Sequence, residues 1–198
     1  MGQYYRGCIL KEDYKKYKTE NGNPIEVAIS PYLIDNNGAK LMEHSWLRNK
    51  YVGIYAWLLS EDGGYFGRPF VWSGDYADDF RGEQTLFDLA DEFCDADWCG
   101  STLVAKNKMC RELIDTYEKQ KPTMRYLVNL DKKVYMDLTE CGEIHPLPLL
   151  CADGNGRGGG DYWGSFQSLV GTWAFDHIGF TNEFPQGYQK DKVIFSEE

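Results

Sequence analysis

Positive charge, long apolar runs and histidine are all scarce in this sequence of 198 residues. Lys and Arg number 21 against 31 Asp and Glu, a net charge of −10. Binding a polyanion requires an excess of cations to displace counterions from phosphates, so the composition excludes a general nucleic-acid binder and leaves a basic partner open. No run of about eighteen apolar residues occurs and no charged segment leads into an apolar one, so neither a membrane span nor a secretory signal is read, and the cytoplasm is the expected location. Met1 to Arg6 approaches the myristoylation pattern but has Arg6 where Ser or Thr is required. The cysteines at 8, 94, 99, 110, 141 and 151 are scattered, which without a secretory signal predicts buried, reduced thiols. Cys94 and Cys99 form C-x4-C with no second ligand pair, and His145 and His177 stand alone. No metal and no cofactor are therefore expected, and the histidines are read as core or surface residues.

Aromatic residues are abundant instead: Tyr 14, Phe 10 and Trp 6. Half-buried rings on pleated surfaces favour β structure, and the expected class is α+β, mostly antiparallel sheet with about three helices. Strands are predicted over 3–10, 25–30, 69–73, 125–130, 133–138, 168–175 and 193–195, with 125–130 and 133–138 forming a hairpin around Asp131-Lys132. Apolar residues at helical spacing predict helices over 48–60 and 106–120. Glu43 and His44 are adjacent and so point apart, which suits a hydrogen-bonded histidine better than an acid–base pair.

Two stretches stand out as candidate sites. From Asp75 to Asp97 the chain carries carboxylates at 75, 78, 79, 83, 88, 91, 92, 95 and 97 against one cation, Arg81. Leu86, Leu89, Ala90 and Phe93 keep a helical apolar stripe there, so one face packs while the other is either a solvated surface or a phosphate-mimicking face for a basic partner. The second stretch, Asp153 to Gly164, reads D-G-N-G-R-G-G-G-D-Y-W-G. Such glycine density marks positive φ or close approach to the backbone. No Lys-Ser/Thr pair follows it as in a Walker loop, and no helix pattern follows as in a dinucleotide-binding fingerprint. It is readable as a wide loop, as an anion nest around Arg157, or as a protein-contact loop in which Arg157, Tyr162 and Trp163 are of hot-spot type. The candidate binding residues are Asp75, Asp78, Asp88, Asp91, Glu92, Arg157, Asp161, Tyr162 and Trp163; no catalytic residue is assigned.

The segment Leu58-Leu59-Ser60-Glu61-Asp62-Gly63 echoes Leu149-Leu150-Cys151-Ala152-Asp153-Gly154, and Phe70-Val71-Trp72 then matches Val170 to Trp173. Two degenerate repeats would divide the chain near Pro122, into an α+β half over 1–122 with the acidic helix and a β-rich half over 123–198 with the glycine stretch; one compact domain is the alternative. The strings Met1-Gly2-Gln3-Tyr4-Tyr5, Lys40-Leu41-Met42-Glu43, Gly74-Asp75-Tyr76-Ala77-Asp78, Val128-Asn129-Leu130-Asp131-Lys132-Lys133 and Gly154 to Tyr162 resemble a family of small proteins carried by phages and bacterial genomes. The Asn-Leu-Asp-Lys-Lys element lies here in the second half, a departure from the order in a shorter member. The resemblance implies a phage context, hence a host-cell cytoplasm, and supplies no chemistry. Together with the charge it leads to an expected non-catalytic accessory protein that binds and inhibits a host protein or ribonucleoprotein with a basic surface, such as a CRISPR effector. The alternative is a nucleotide or other anionic small-ligand binding protein, possibly an enzyme, using the glycine stretch.

Overall fold

The computed structural model describes residues 3–34, 37–154 and 162–196, with the Trp98 side chain excepted. In chain order the strands are β1 (Tyr5–Leu10), β2 (Ile25–Ala28), β3 (Arg68–Gly74), β4 (Ala96–Cys99), β5 (Thr102–Ala105), β6 (Tyr126–Asn129), β7 (Val134–Asp137), β8 (Ala152–Asp153), β9 (His177–Thr181) and β10 (Gln189–Lys190). The α-helices are α1 (Leu41–His44), α2 (Lys50–Leu58), α3 (Leu86–Leu89), α4 (Asp91–Cys94), α5 (Lys108–Gln120) and α6 (Pro146–Leu150). The class is α+β, as expected, and the sheet is mostly antiparallel. Its order is β10-β7-β6-β9-β3-β1-β2, with β8 also pairing with β3, while β4 and β5 form a separate hairpin. Strands from both sides of Pro122 meet where β3 pairs with β9 and β8. No helix among the described residues is long and apolar enough to cross a membrane.

Strands β1 and β3 are buried along almost their whole length, because helices and loops cover both faces. The cover on one face is α2, started by the Asn49 side chain, which accepts from the Tyr51 amide at 2.8 Å. One turn apart on this helix, Tyr51 and Tyr55 close a four-bond ring with the backbone of Gly7 and Ile29. The Tyr51 hydroxyl accepts from the Gly7 amide at 3.2 Å and donates to the Ile29 carbonyl at 2.7 Å. Tyr55 does the converse, accepting from the Ile29 amide at 2.9 Å and donating to the Gly7 carbonyl at 2.6 Å. Two phenols thus replace the ladder bonds that β1 and the end of β2 would otherwise exchange. Glycine is required at position 7, where a Cβ would lie 2.7 Å from the Tyr55 ring.

Trp72 of β3 packs edge-on against Tyr51, Tyr55 and His44, with ring centroids 5.2–5.5 Å apart. Its indole N–H donates to His44 Nδ1 at 2.8 Å, which fixes the proton on Nε2, and Nε2 donates to the Gly38 carbonyl at 2.9 Å. His44 is therefore the hydrogen-bonded histidine that its position beside Glu43 suggested.

Three expectations need correction. The segment 168–175 forms a 3-10 turn at Gln167–Leu169 and further turns, not a strand. Its apolar residues are single anchors: Gly171 and Trp173 donate their amides to the Leu149 and Leu150 carbonyls, and Phe175 to that of Phe70. Residues 193–195 are also outside any strand, with Val193 and Phe195 buried individually. The acidic helix is split at Ala90 into α3 and α4, because its carbonyls have other partners. Arg6 donates to the Phe87 carbonyl at 2.9 Å and Asn23 to that of Leu89 at 2.8 Å, positions where a continuous helix would bond to itself. As for the internal echo, the first halves correspond: α2 and α6 each end just before a parallel bridge, Ser60 to Phe180 and Ala152 to Trp72. The correspondence stops there, since 70–72 is strand and 170–173 is turn.

Five of the cysteines are buried and Cys99, the last residue of β4, is exposed. Burial pushes the Cys94 and Cys141 thiols up to about 12 and that of Cys110 to about 11. Iodoacetamide should therefore modify Cys99 alone in the native protein and the other five only after denaturation, which intact-mass measurement reads directly. Rapid native labelling of a second thiol would contradict this packing.

Candidate functional site

The acidic segment lies over the β1–β3 end of the sheet, and the structure divides its carboxylates into two groups. Those of the first group hold the fold. Asp75 Oδ1 accepts from the Tyr4 amide at 3.0 Å, while the Asp75 amide donates to the Tyr4 carbonyl. Asp88 forms a capping box with Thr85 at the start of α3, the amides of each bonding the other's side chain at 2.9 and 3.1 Å. Asp91 pairs with Arg6 at 2.6 Å, and the same guanidinium stacks over the Phe87 ring. Glu92 accepts from Asn23 at 2.9 Å, and Asp95 and Asp97 share Lys106 at 3.0 and 3.3 Å.

The second group is Asp78, Asp79 and Glu83, all exposed, with no hydrogen-bond or ion-pair partner among the described residues. Arg81, the only cation in the segment, is turned away from them: its guanidinium donates to the Glu20 and Gly22 carbonyls at 3.1 and 2.6 Å and to Gln84 at 3.2 Å. Beside this group stand two exposed rings, Tyr4 at 47% and Tyr76 at 53%. The result is an acidic face with aromatic residues at one end.

The base of the glycine stretch is built more tightly. Gln3 and Tyr5 lie between Gly74 and Gly154, with the Tyr5 hydroxyl donating to Gln3 Oε1 at 2.6 Å. A Cβ on Gly154 would be 2.5 Å from that same oxygen, so this first glycine serves close packing. Asp153 is half-buried there; burial first, and then the neighbouring Asp78 charge, raise its carboxyl to about 6. Arg157 and Asp161 lie outside the described residues. Tyr162 is 2% exposed and holds the C-terminal segment: its hydroxyl donates to the Ser165 and Ser196 carbonyls, and its ring meets Phe195 edge-on at 5.5 Å. Trp163 is 77% exposed. Asp78 thus lies close enough to Asp153 for its charge to be felt at the base of the glycine stretch, Asp75 is held by Tyr4, and Asp88, Asp91 and Glu92 belong to the α3–α4 face.

The sequence reading did not anticipate the cluster around His177. His177 Nδ1 lies 2.9 Å from Asp131 and Nε2 lies 3.3 Å from Glu12. Partial burial lowers the His177 pKa, but the bonds to and charges of Asp131 and Glu12 outweigh it and raise it. No sequence signal joins residues this far apart. Among the described residues no three His, Cys, Asp or Glu side chains gather to hold a metal ion.

No family model matches the chain, and no curated protein or solved structure is significantly similar to it. Its functional reading therefore rests on its own residues.

Proposed function

We propose that the chain is a non-catalytic, phage-type accessory protein that binds and inhibits a host macromolecule through its acidic face, the target being a component of an antiviral defence system such as a CRISPR effector. The observation that carries this reading is the set of exposed carboxylates Asp78, Asp79 and Glu83, which have no cation partner among the described residues, are continuous in sequence with Asp88, Asp91 and Glu92, and are flanked by exposed Tyr4 and Tyr76. Such a face repels nucleic acid and attracts a surface built to hold a phosphate backbone, raising the association rate at low salt. Tyrosine adds apolar area at small entropic cost, and interface hot spots are enriched in it. The alternative, an anion held by the glycine stretch, has Asp78 and Asp153 at the base of that stretch, and their charge opposes it.

The test is affinity capture from a bacterial host lysate followed by native mass spectrometry of the eluted complex. The proposal expects one stoichiometric protein or ribonucleoprotein with a basic surface, released as salt rises from about 0.1 to 0.5 M and screening tightens. Recovery of a bound nucleotide with no macromolecule would overturn it.

A further inference from the structure

Away from the acidic face, a cavity of about 400 Å³ lies between α2, α5 and the segments before α6 and after β7. Leu47, Ala56, Met124 and Leu138 give it apolar walls. Two buried polar side chains also line it: His145, 3% exposed, and Tyr117, 9% exposed. His145 Nδ1 accepts from the Leu147 amide at 3.2 Å as the cap of α6, so its proton is on Nε2. Neither Nε2 nor the Tyr117 hydroxyl has a hydrogen-bond partner among the described residues. Among the described residues the side-chain polar atoms sealed from solvent without a partner are Trp57 Nε1 and Ser73 Oγ, whereas His145 Nε2 and the Tyr117 hydroxyl are not sealed. They therefore open onto the cavity that their residues line. Gly53 makes room for the phenol: a Cβ there would lie 2.4 Å from the Tyr117 hydroxyl.

The electrostatics of this cavity run against the rest of the molecule. In a chain of net charge −10, its lining holds Arg48 and Lys121 and no carboxylate. Arg48 is exposed, with no ion-pair partner among the described residues. Lys121 contacts Glu118 only at 3.8 Å, and Lys50 approaches that same carboxylate at 3.6 Å. Lys121 also ends α5 in the left-handed conformation, at φ 42°, where glycine or asparagine is the usual choice. A lysine held there presents a cation at the rim despite the strain.

We infer that this cavity binds a small organic anion: an apolar body against the walls, an acceptor oxygen on His145 Nε2–H and the Tyr117 hydroxyl, and a carboxylate or phosphate group at the Arg48–Lys121 rim. The volume falls within the range of small-molecule sites, and a few convergent polar groups in an apolar cleft are their usual form. Buried donors without partners are costly in an empty site and become an asset when an acceptor arrives. This site is independent of the acidic face.

The experiment titrates the full chain with 4-acetylbenzoate, 4-acetylphenyl phosphate, acetophenone and inorganic phosphate, using calorimetry and amide and imidazole NMR shifts. The two aromatic anions should bind and shift the resonances of His145 and Tyr117, with the tighter of them identifying carboxylate or phosphate as the preferred group. Acetophenone, lacking the charge, should bind at least about tenfold more weakly, and inorganic phosphate should leave both residues unshifted. Tyr117→Phe keeps the ring and should weaken the aromatic anions by roughly threefold to tenfold; Arg48→Ala should weaken them at least as much and flatten the salt dependence. Thermal melts establish that both variants are folded. Failure of both aromatic anions to shift His145 and Tyr117 would overturn the inference. So would inorganic phosphate binding as tightly as 4-acetylphenyl phosphate, or unchanged affinity in both variants.

Discussion

Tyr55→Phe should lower the unfolding free energy by roughly 2–4 kcal/mol, although it removes a single oxygen atom. That oxygen serves two backbone groups, the Ile29 amide and the Gly7 carbonyl, at a site where Tyr55 is fully buried. A buried backbone group left without a partner costs about 1–3 kcal/mol, and here two are orphaned together. Tyr51→Phe orphans the opposite pair, the Gly7 amide and the Ile29 carbonyl, and should cost a similar amount. Because the hydroxyls share one ring of bonds, the double variant should depart from additivity by at least about 0.5 kcal/mol. Equilibrium urea denaturation of the three variants measures this. A loss under about 0.5 kcal/mol for either single change would mean that the ring does not hold β1 against the end of β2.

Acidification should unfold the protein well before its carboxylates alone would account for it. Burial lowers His44 to about 4 and His145 to about 3, and in each ring a fixed N–H occupies the nitrogen that would take the second proton. Unfolded histidine titrates near 6.5. The stability that comes from keeping these rings neutral is therefore complete above that value and declines as pH falls through 6.5 toward 4 and 3. From pH 7 to pH 4 the two rings together withdraw about 6 kcal/mol. Asp153 acts in the opposite sense: its carboxyl is raised to about 6, so its contribution is lost as pH rises from 3.8 through 6, and it returns about 2 kcal/mol over the same fall. For these three groups the net expectation is a loss of about 4 kcal/mol between pH 7 and pH 4, with unfolding taking up about one more proton than it releases at them near pH 5. His177, held above its ordinary value by Asp131 and Glu12, offsets part of the loss. Urea midpoints at pH 7, 5.5 and 4 provide the comparison, and a midpoint unchanged across that range would contradict the two neutral histidines.

What was legible in the sequence was whatever local pattern alone decides. The β6–β7 hairpin follows from alternating residues around Asp131-Lys132, and α2 and α5 follow from apolar spacing, whereas their caps Asn49 and Asn107 are seen only in the structure. The errors have one physical source, a tertiary partner overriding local preference. Arg6 and Asn23 capture the Phe87 and Leu89 carbonyls and break the acidic helix. Trp173 and Phe195 are buried as isolated anchors on irregular backbone, which composition cannot distinguish from strand. The candidate site was legible as charge but not as role. Sequence showed the carboxylates from Asp75 to Asp97, while only the structure separates Asp88, Asp91 and Glu92, which hold α3 and α4, from Asp79 and Glu83, which are exposed and without partners among the described residues. The cavity at Tyr117 and His145 left no trace in spacing, since its walls come from three separate segments, 47–56, 117–124 and 138–145, that only the fold brings together.

That separation defines the most direct measurement of the docking proposal. Asp79→Lys/Glu83→Lys reverses charge at exposed positions with no partner among the described residues, and Asp79→Asn/Glu83→Gln removes charge at the same positions. Dissociation constants of both variants and the parent chain for the captured host partner, taken at about 0.05 and 0.3 M salt, compare electrostatic contact with shape. The account predicts unchanged melting temperatures, weaker binding in the neutral variant, still weaker binding in the reversed one, and a salt dependence that flattens in the same order. Equal affinities for all three proteins at both salt concentrations would contradict it.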